Sequence, residues 1–216
     1  LVLENLDLSR LDTKNVTNMS NMFYETGMNA ENLNLNLGPY FDTSKVTNMR
    51  YMFYRTGRNN TAFVLNLGDK FNTANVTDMT GMFWSTGLNT PNFKLDLGPN
   101  FDTSKVTNMS YMFRSSGMHS TTYTLNLGSK FNTANVTNMS NMFYNTGYKN
   151  PNFVLNLGAK FNTSKVTDMS NMFTYTAKGS TTFTLNCSGW NVDNVTAYSE
   201  FSTGAGGTIT PPIWKH

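Results

Sequence analysis

The chain has 216 residues, a net charge of +3 and a charged fraction of only 13%, which is about half of the ~25% usual for soluble proteins. Lysine and arginine are scattered among the residues and form no basic run suited to a phosphate backbone, so no nucleic-acid partner is expected. The single cysteine, Cys187, excludes an internal disulfide framework, and no run of 18 apolar residues predicts membrane insertion in this segment.

The most regular feature of the sequence is the frame V-T-x-M-x-x-M-F. It begins at Val16, Val46, Val76, Val106, Val136 and Val166, and a degenerate copy begins at Val195. A fixed period between 20 and 50 residues is typical of a solenoid, in which each repeat packs on its neighbours. We therefore predict one repeat solenoid over residues 1–203, with about seven coils of 30 residues, and a C-terminal cap or tail over residues 204–216.

A weaker rhythm of sixty residues lies over the thirty-residue period. The sequence Phe-Asp-Thr-Ser-Lys at 41 and 101 alternates with Phe-Asn-Thr-Ala-Asn at 71 and 131. This alternation indicates growth by copying of a two-repeat block.

The first element of each repeat is a predicted strand. In residues 63–67 the apolar Phe63, Leu65 and Leu67 alternate with other residues, which is the period of a strand with one buried face. Because a full crossover separates successive strands, they are expected to pair in one parallel sheet along the stack. Cys187 stands where other repeats carry leucine, so we predict a buried, inert thiol.

The second element is predicted to be a short helix or 3₁₀ turn. Within the frame the apolar residues fall at i, i+3, i+6 and i+7, a threonine stands where an N-cap is expected, and glycine follows at the stop position. Twelve of the fourteen methionines occupy the two frame positions. Thioethers in this register beside valine and phenylalanine are typical of core packing, so these methionines are predicted to be buried.

The repeat as a whole resembles a known family. The segment V-T-N-M-S-N-M-F-Y-N-T-G followed by F-V-L-N-L-G is similar to the BspA-type leucine-rich repeats of bacterial surface proteins, most closely to the variety in mycoplasma and Firmicutes surface proteins of unknown function. The resemblance covers residues 6 to about 203, although the repeat here is longer than the mid-twenties unit typical of that variety. It implies a leucine-rich-repeat-like α/β solenoid, extracellular or at the bacterial cell surface, that acts in adhesion.

No group of residues predicts chemistry. The two histidines, His119 and His216, lack a cysteine, serine or carboxylate partner in the repeat register, so we expect no enzyme, no metal site and no cofactor. Asp42 and Asp102 recur in register with asparagines and could form a calcium ladder, but turn-forming side-chain hydrogen bonds are the favoured role.

Two surfaces are candidates for ligand binding. The first is an aromatic ladder on the second element, interrupted at Arg114 and Thr174, whose members are Tyr24, Tyr51, Tyr54, Trp84, Tyr111 and Tyr144. Such rings can anchor a protein or stack on sugars, or they can simply cover the neighbouring coil. The second is the outer face of the predicted strands, which carries Lys94 and Asp96. Variation between repeats on this face indicates either a recognition surface or unconstrained sequence drift at solvent-exposed positions.

The sequence thus favours a non-catalytic, secreted or surface-exposed bacterial repeat protein that binds a host protein or a glycan. The alternative is a structural role, as a spacer or as the subunit of a filament that forms by self-association.

Overall fold

The computed structural model describes residues 2–68 and 71–215. Across these residues seven short strands occur: β1 (Asn5–Asp7), β2 (Asn34–Asn36), β3 (Ala62–Asn66), β4 (Asn92–Asp96), β5 (Thr124–Asn126), β6 (Thr184–Asn186) and β7 (Thr208–Thr210). All pairings are parallel and in the register of the repeat, so that Leu65 lies opposite Leu95 and Leu95 opposite Leu125.

The four strand pairings form about four turns of a parallel β-solenoid, which confirms a repeat solenoid. The strands divide into three sheets, β1-β2, β3-β4-β5 and β6-β7, and not into one continuous sheet. Residues 153–157 form no strand although Phe153, Leu155 and Leu157 are buried. The expectation of seven coils and of leucine-rich-repeat architecture is therefore not confirmed.

The predicted helix is wrong, because the described residues contain no helix. Consequently none of them forms a helix that could cross a membrane. Residues 19–30 and their counterparts 49–60, 79–90, 109–120, 139–150 and 169–180, here called the turn segments, are chains of tight turns. The Met22 N–H donates to the Met19 carbonyl at 3.2 Å, whereas the next N–H, of Phe23, donates to the Met52 carbonyl of the neighbouring coil at 2.8 Å.

This alternation explains why a helix does not form. An α-helix would direct each N–H to the carbonyl four residues earlier, but alternate N–H groups of a turn segment are directed to a neighbouring coil: that of Phe53 to the next one and that of Gly57 to the preceding one. A second column of isolated parallel bridges accompanies these bonds from Asn18 through Asn48 and onward to Ala197. Alternate residues such as Asn21 adopt positive φ, at 60°. Stacking between coils therefore outweighs the local helical pattern.

The methionines and phenylalanines of the frame form the core, as predicted. All frame methionines except Met22 are buried. Phenylalanines of successive coils stack face to face, with ring centroids 5.5 Å apart for Phe53 and Phe83 and 5.6 Å for Phe83 and Phe113. Burial of each such side chain contributes about 1.5–3 kcal/mol, and the stack supplies that burial because no single coil could.

Buried threonine side chains also join neighbouring coils through hydrogen bonds to the backbone. Thr43 Oγ1 donates to the Asn72 carbonyl at 2.8 Å and accepts from the Asn72 N–H at 2.7 Å. Equivalent bonds join Thr103 to Asn132. The buried hydroxyls are thus satisfied, which removes the penalty for burying them.

The Asp and Asn side chains of the same loops form turns. Asp42 Oδ1 accepts from the Ser44 N–H at 2.8 Å, and Asn72 Oδ1 accepts from the Ala74 N–H at 2.9 Å. The predicted turn-forming role is confirmed for these residues.

A lysine–asparagine column accounts for the sixty-residue rhythm. Lys105 Nζ donates to Asn75 Oδ1 at 2.7 Å, and Asn75 Nδ2 donates to the Ser44 carbonyl at 2.7 Å. The same pattern recurs at Lys45 with Asn15 and at Lys165 with Asn135. Alternation gives each ammonium group an amide acceptor and separates like charges by a full coil.

The residues predicted as a cap or tail continue the solenoid. Thr208–Thr210 form β7, in which Ile209 lies opposite Leu185. The Trp214 ring then stacks on Tyr198 at 4.3 Å and packs on Phe201 at 5.1 Å. The last coil is therefore covered by residues that follow it in sequence.

Candidate functional site

The predicted aromatic ladder forms a nearly continuous row of rings along the outer surface of the turn segments, here called the turn face. Tyr24 stacks on Tyr54 with centroids 4.8 Å apart, and Trp84 stacks on Tyr111 at 5.3 Å. Tyr51 joins the two pairs, 6.1 Å from Tyr54 and 6.2 Å from Trp84. We call this row, together with the rings described below, the aromatic stripe.

The backbone of the turn segments positions these rings. Tyr51 and Tyr111 adopt positive φ, at 53° and 61°, which turns their side chains outward beside the neighbouring coil. The position equivalent to Tyr51 in the next coil is Gly81, and a Cβ there would overlap the Tyr51 ring. The glycine therefore provides the space in which this ring packs.

Arg114 interrupts the row in sequence but connects it in space. Its guanidinium lies 4.4 Å from the centroid of the Tyr144 ring, 5.1 Å from that of Trp84 and 5.5 Å from that of Tyr111. Its Nη1 donates to Asn141 Oδ1 at 3.1 Å. Each cation–π contact is worth about 0.5–1 kcal/mol or more where water is excluded, so Arg114 joins the two halves of the stripe.

Sequence reasoning missed the continuation of the stripe beyond Tyr144. Thr174, the second interruption, is buried, and the next residue, Tyr175, carries the ring. Tyr175 lies 6.0 Å from Tyr144 and 6.4 Å from Tyr148, and Lys178 Nζ lies 4.9 Å from the Tyr175 centroid. One feature of the sequence indicates this continuation: Tyr148 follows Tyr144 by four residues within the same repeat.

The stripe is half-buried, with Tyr24 its most exposed ring at 47%. Two pairs of rings are stacked face to face, Tyr24 with Tyr54 and Trp84 with Tyr111. Arg114 and Lys178 lie over faces of the remaining rings toward the C-terminal side, so much of the ring-face area is occupied. Burial raises the pKa of Tyr54. Its hydroxyl, like an ordinary phenol, is neutral near pH 7 and able to donate a hydrogen bond. The stripe is therefore suited to hydrogen bonds and edge contacts more than to stacking on a sugar ring or a base.

The charges of the stripe are unevenly compensated. Arg55 pairs with Glu25 at 2.8 Å, and Arg50 pairs with Asp78 at 3.3 Å. None of the ion pairs in residues 2–68 and 71–215 involves Arg114, Lys149 or Lys178. Partial burial, and secondarily the charge of Lys149, lowers the pKa of His119.

The two strand-face candidates lie apart from the stripe. Asp96 Oδ1 accepts from the Gly98 N–H at 3.1 Å and from Asn126 Nδ2 at 3.1 Å, so it ends β4 in a turn. It lines an open groove of about 610 Å³ whose floor includes Gly68, Gly98 and Gly128. Lys94 is exposed between Val64 and Thr124. Within the described chain no ring or ion contact joins Lys94 or Asp96 to the stripe.

No group of three His, Cys, Asp or Glu side chains that could hold a metal ion occurs among the described residues. Cys187 is fully buried, and burial raises the pKa of its thiol to about 12. Ser116 and Tyr123 form a buried pair whose hydroxyls are 2.9 Å apart, and burial raises the pKa of the Tyr123 phenol well above its usual value. These groups belong to the core.

Comparison with known proteins matches the chain to a protein family. The family model described as "Mycoplasma protein of unknown function, DUF285" matches residues 3–122, 56–153 and 117–207. No curated protein and no solved structure matches the chain significantly.

Proposed function

Since the chain belongs to this Mycoplasma family of unknown function, we propose that it is a non-catalytic recognition module, secreted or displayed on a bacterial surface, that binds a macromolecule through the aromatic stripe. The observation that carries the proposal is the row of Tyr, Trp and Arg side chains that runs along the turn face from Tyr24 to Tyr175. These three residue types dominate the binding energy of protein interfaces.

The scaffold supports the same function. Every second N–H of the turn segments bonds to a neighbouring coil, and the frame phenylalanines stack beneath them. The stripe is therefore held on a closely packed support, which lowers the entropy lost when a partner orders its side chains. Tyr and Trp have few rotatable bonds, and this lowers the cost further.

A second candidate is self-assembly, which the regular main-chain bonding between coils favours. The carbonyls of Asn48, Met52 and Tyr54 accept N–H groups from the preceding coil, and the equivalent carbonyls of later coils do the same. Main-chain bonding of this kind can also join the strand edges of separate molecules.

The test of recognition is binding of fluorescently labelled protein to intact mammalian epithelial cells, measured by flow cytometry. Wild-type protein is expected to bind saturably, and Trp84→Ala is expected to weaken binding at least tenfold because it removes a ring in contact with Tyr51, Tyr54, Tyr111 and Arg114. Tyr40→Ala is the matched control, since Tyr40 is 62% exposed and lies outside the stripe.

Equal binding of the Trp84→Ala and wild-type proteins would refute the stripe as the site, and absence of saturable binding would refute the proposal. Light scattering over a range of concentrations decides on the second candidate. A constant mass of 24.2 kDa contradicts self-assembly, whereas open-ended growth with concentration supports it.

A further inference from the structure

Basic and acidic residues are unevenly distributed between the turn face and the rest of the protein, although the net charge of the chain is small. The six turn segments contain six lysines and arginines, at 50, 55, 58, 114, 149 and 178, but one acidic residue, Glu25. Their net charge is thus 6 − 1 = +5. The rest of the chain then has 16 − 6 = 10 basic and 13 − 1 = 12 acidic residues, a net charge of −2. The turn face is cationic, and the other surfaces together are slightly anionic.

The asymmetry is strongest over the second half of the turn face. Residues 109–120, 139–150 and 169–180 contain no Asp or Glu, whereas each contains one Lys or Arg. Two acidic residues adjoin these segments. Asp168 immediately precedes the last one, and its Oδ1 accepts from the Ser170 N–H at 2.9 Å. Glu200 is exposed in the tight turns of the next coil, and its carbonyl accepts a hydrogen bond from Thr174 Oγ1. Arg114 and Lys178 lie over tyrosine rings, and Lys149 is exposed. Their charges are therefore available to a ligand.

The three cations occupy three successive coils, so with roughly 4.8 Å between neighbouring coils they extend over about 10 Å along the solenoid axis. Arg114 stands near the middle of its turn segment, whereas Lys149 and Lys178 stand near the ends of theirs. Between them lie the rings of Tyr144, Tyr148 and Tyr175, which are half-buried. A band of cations interspersed with phenols that crosses successive coils fits a polymer whose anionic groups recur along its length.

Two other polyanions fit this surface less well. An acidic protein segment gains most of its affinity from side chains inserted in pockets, but the groove of about 610 Å³ lies on the strand face, around Asp96 and Asn126. Single-stranded nucleic acid is held by bases stacked on exposed ring faces, and here Arg114 lies over one face of Tyr144 and Lys178 lies over faces of Tyr148 and Tyr175. The observations favour a ligand read through its charges and hydroxyl groups.

We propose that the segment of the turn face formed by Arg114, Tyr144, Tyr148, Lys149, Tyr175 and Lys178 binds an anionic polysaccharide. This inference rests on the proposed recognition function and names the chemical class of its ligand. Sulfate or carboxylate groups pair with the guanidinium and ammonium groups, while the tyrosine hydroxyls hydrogen-bond to the sugar hydroxyls.

The experiment measures binding of fluorescent dextran sulfate by anisotropy at low and physiological salt, with neutral dextran of equal length, poly-glutamate and single-stranded DNA as comparison probes. Dextran sulfate is expected to bind most tightly, and binding is expected to weaken with salt because salt screens exposed charges. The triple variant Arg114→Gln, Lys149→Gln, Lys178→Gln should lose at least tenfold in affinity.

A second triple variant provides the control. Lys45→Gln, Lys105→Gln, Lys165→Gln makes the same change in net charge on the lysine–asparagine column, which lies outside the turn segments, and should bind within about twofold of wild type. If the first triple variant does not fold, the double variant Lys149→Gln, Lys178→Gln, both exposed residues, is expected to lose at least fivefold.

Equal losses in the two triple variants would show that net charge alone drives binding and would overturn the inference. Tighter binding of poly-glutamate or DNA than of dextran sulfate would also overturn it. If dextran sulfate does not bind while cell binding remains sensitive to Trp84→Ala, the anionic ligand is refuted and the recognition function stands. If both fail, the recognition function is refuted as well.

Discussion

Replacing Gly81 by alanine tests the geometry of the aromatic stripe. Gly81 has a φ of 60° and lies beneath the Tyr51 ring, where an added Cβ would overlap ring carbons. Gly158 is a matched control because its φ is also positive, at 78°, yet nothing lies within 4 Å of the position that a Cβ would take. Both substitutions place alanine at a positive φ, but only Gly81→Ala also displaces an aromatic ring, that of Tyr51.

The expected cost follows from these two contributions. Placing alanine in the left-handed region costs about 1–2 kcal/mol, and Gly158→Ala should lose that amount of unfolding free energy. In Gly81→Ala the displaced Tyr51 ring also loses contacts with Tyr54 and Trp84. Aromatic pairs are worth about 0.5–1.5 kcal/mol each, so the total loss should be about 2–5 kcal/mol.

A double-mutant cycle in chemical denaturation separates the contributions. Tyr51→Asn removes the ring and keeps a residue that tolerates positive φ, as Asn21, Asn141 and Asn171 do at the same position of other repeats. In that background Gly81→Ala should cost only about 1–2 kcal/mol, the strain of the left-handed backbone alone. An equal cost of Gly81→Ala with and without the Tyr51 ring would refute the reasoning.

Two further predictions concern the lysine–asparagine column and the buried thiol. Asn75→Lys should destabilise the protein by about 1 kcal/mol, because Lys105 loses its acceptor and three ammonium groups stand in adjacent coils. Added salt should reduce that loss in thermal melts, whereas the uncharged control Asn75→Leu should show no such relief; equal salt dependence would contradict the like-charge explanation. Cys187 should react with iodoacetamide at pH 8 only as the protein unfolds, since burial raises its thiol pKa to about 12, and labelling of the native protein at the rate of a free thiol would contradict its burial.

Repetition in the sequence predicts much of the fold. The alternation of Leu65 and Leu67 with Asn66 identified a strand with one buried face, and β3 has that burial pattern. The frame methionines were identified as core residues because they recur beside valine and phenylalanine, and all but Met22 are buried. The spacing of apolar residues along the chain indicates which side chains are buried, so this burial can be predicted from the sequence.

The candidate site was recovered in part. The six predicted rings lie on one surface, because residues at equal positions of successive repeats stack in columns. Tyr148 and Tyr175 occupy neighbouring columns, and their contacts depend on the lateral reach of side chains between coils. In the sequence, Arg114 interrupts the column of aromatic residues. Only the structure shows that its planar guanidinium lies over the Tyr144 ring and so continues the row of contacts.

The sequence by itself determined the period, the identity of the core and the turn-forming role of residues such as Asp42 and Asn72. The tertiary structure decided the conformation of the turn segments. Their apolar spacing fits a helix, because residues three apart also approach one another in consecutive tight turns. The choice depends on where alternate N–H groups find acceptors, and those acceptors belong to another coil about thirty residues away. A local pattern cannot report a hydrogen bond whose partner exists only after the coils have stacked.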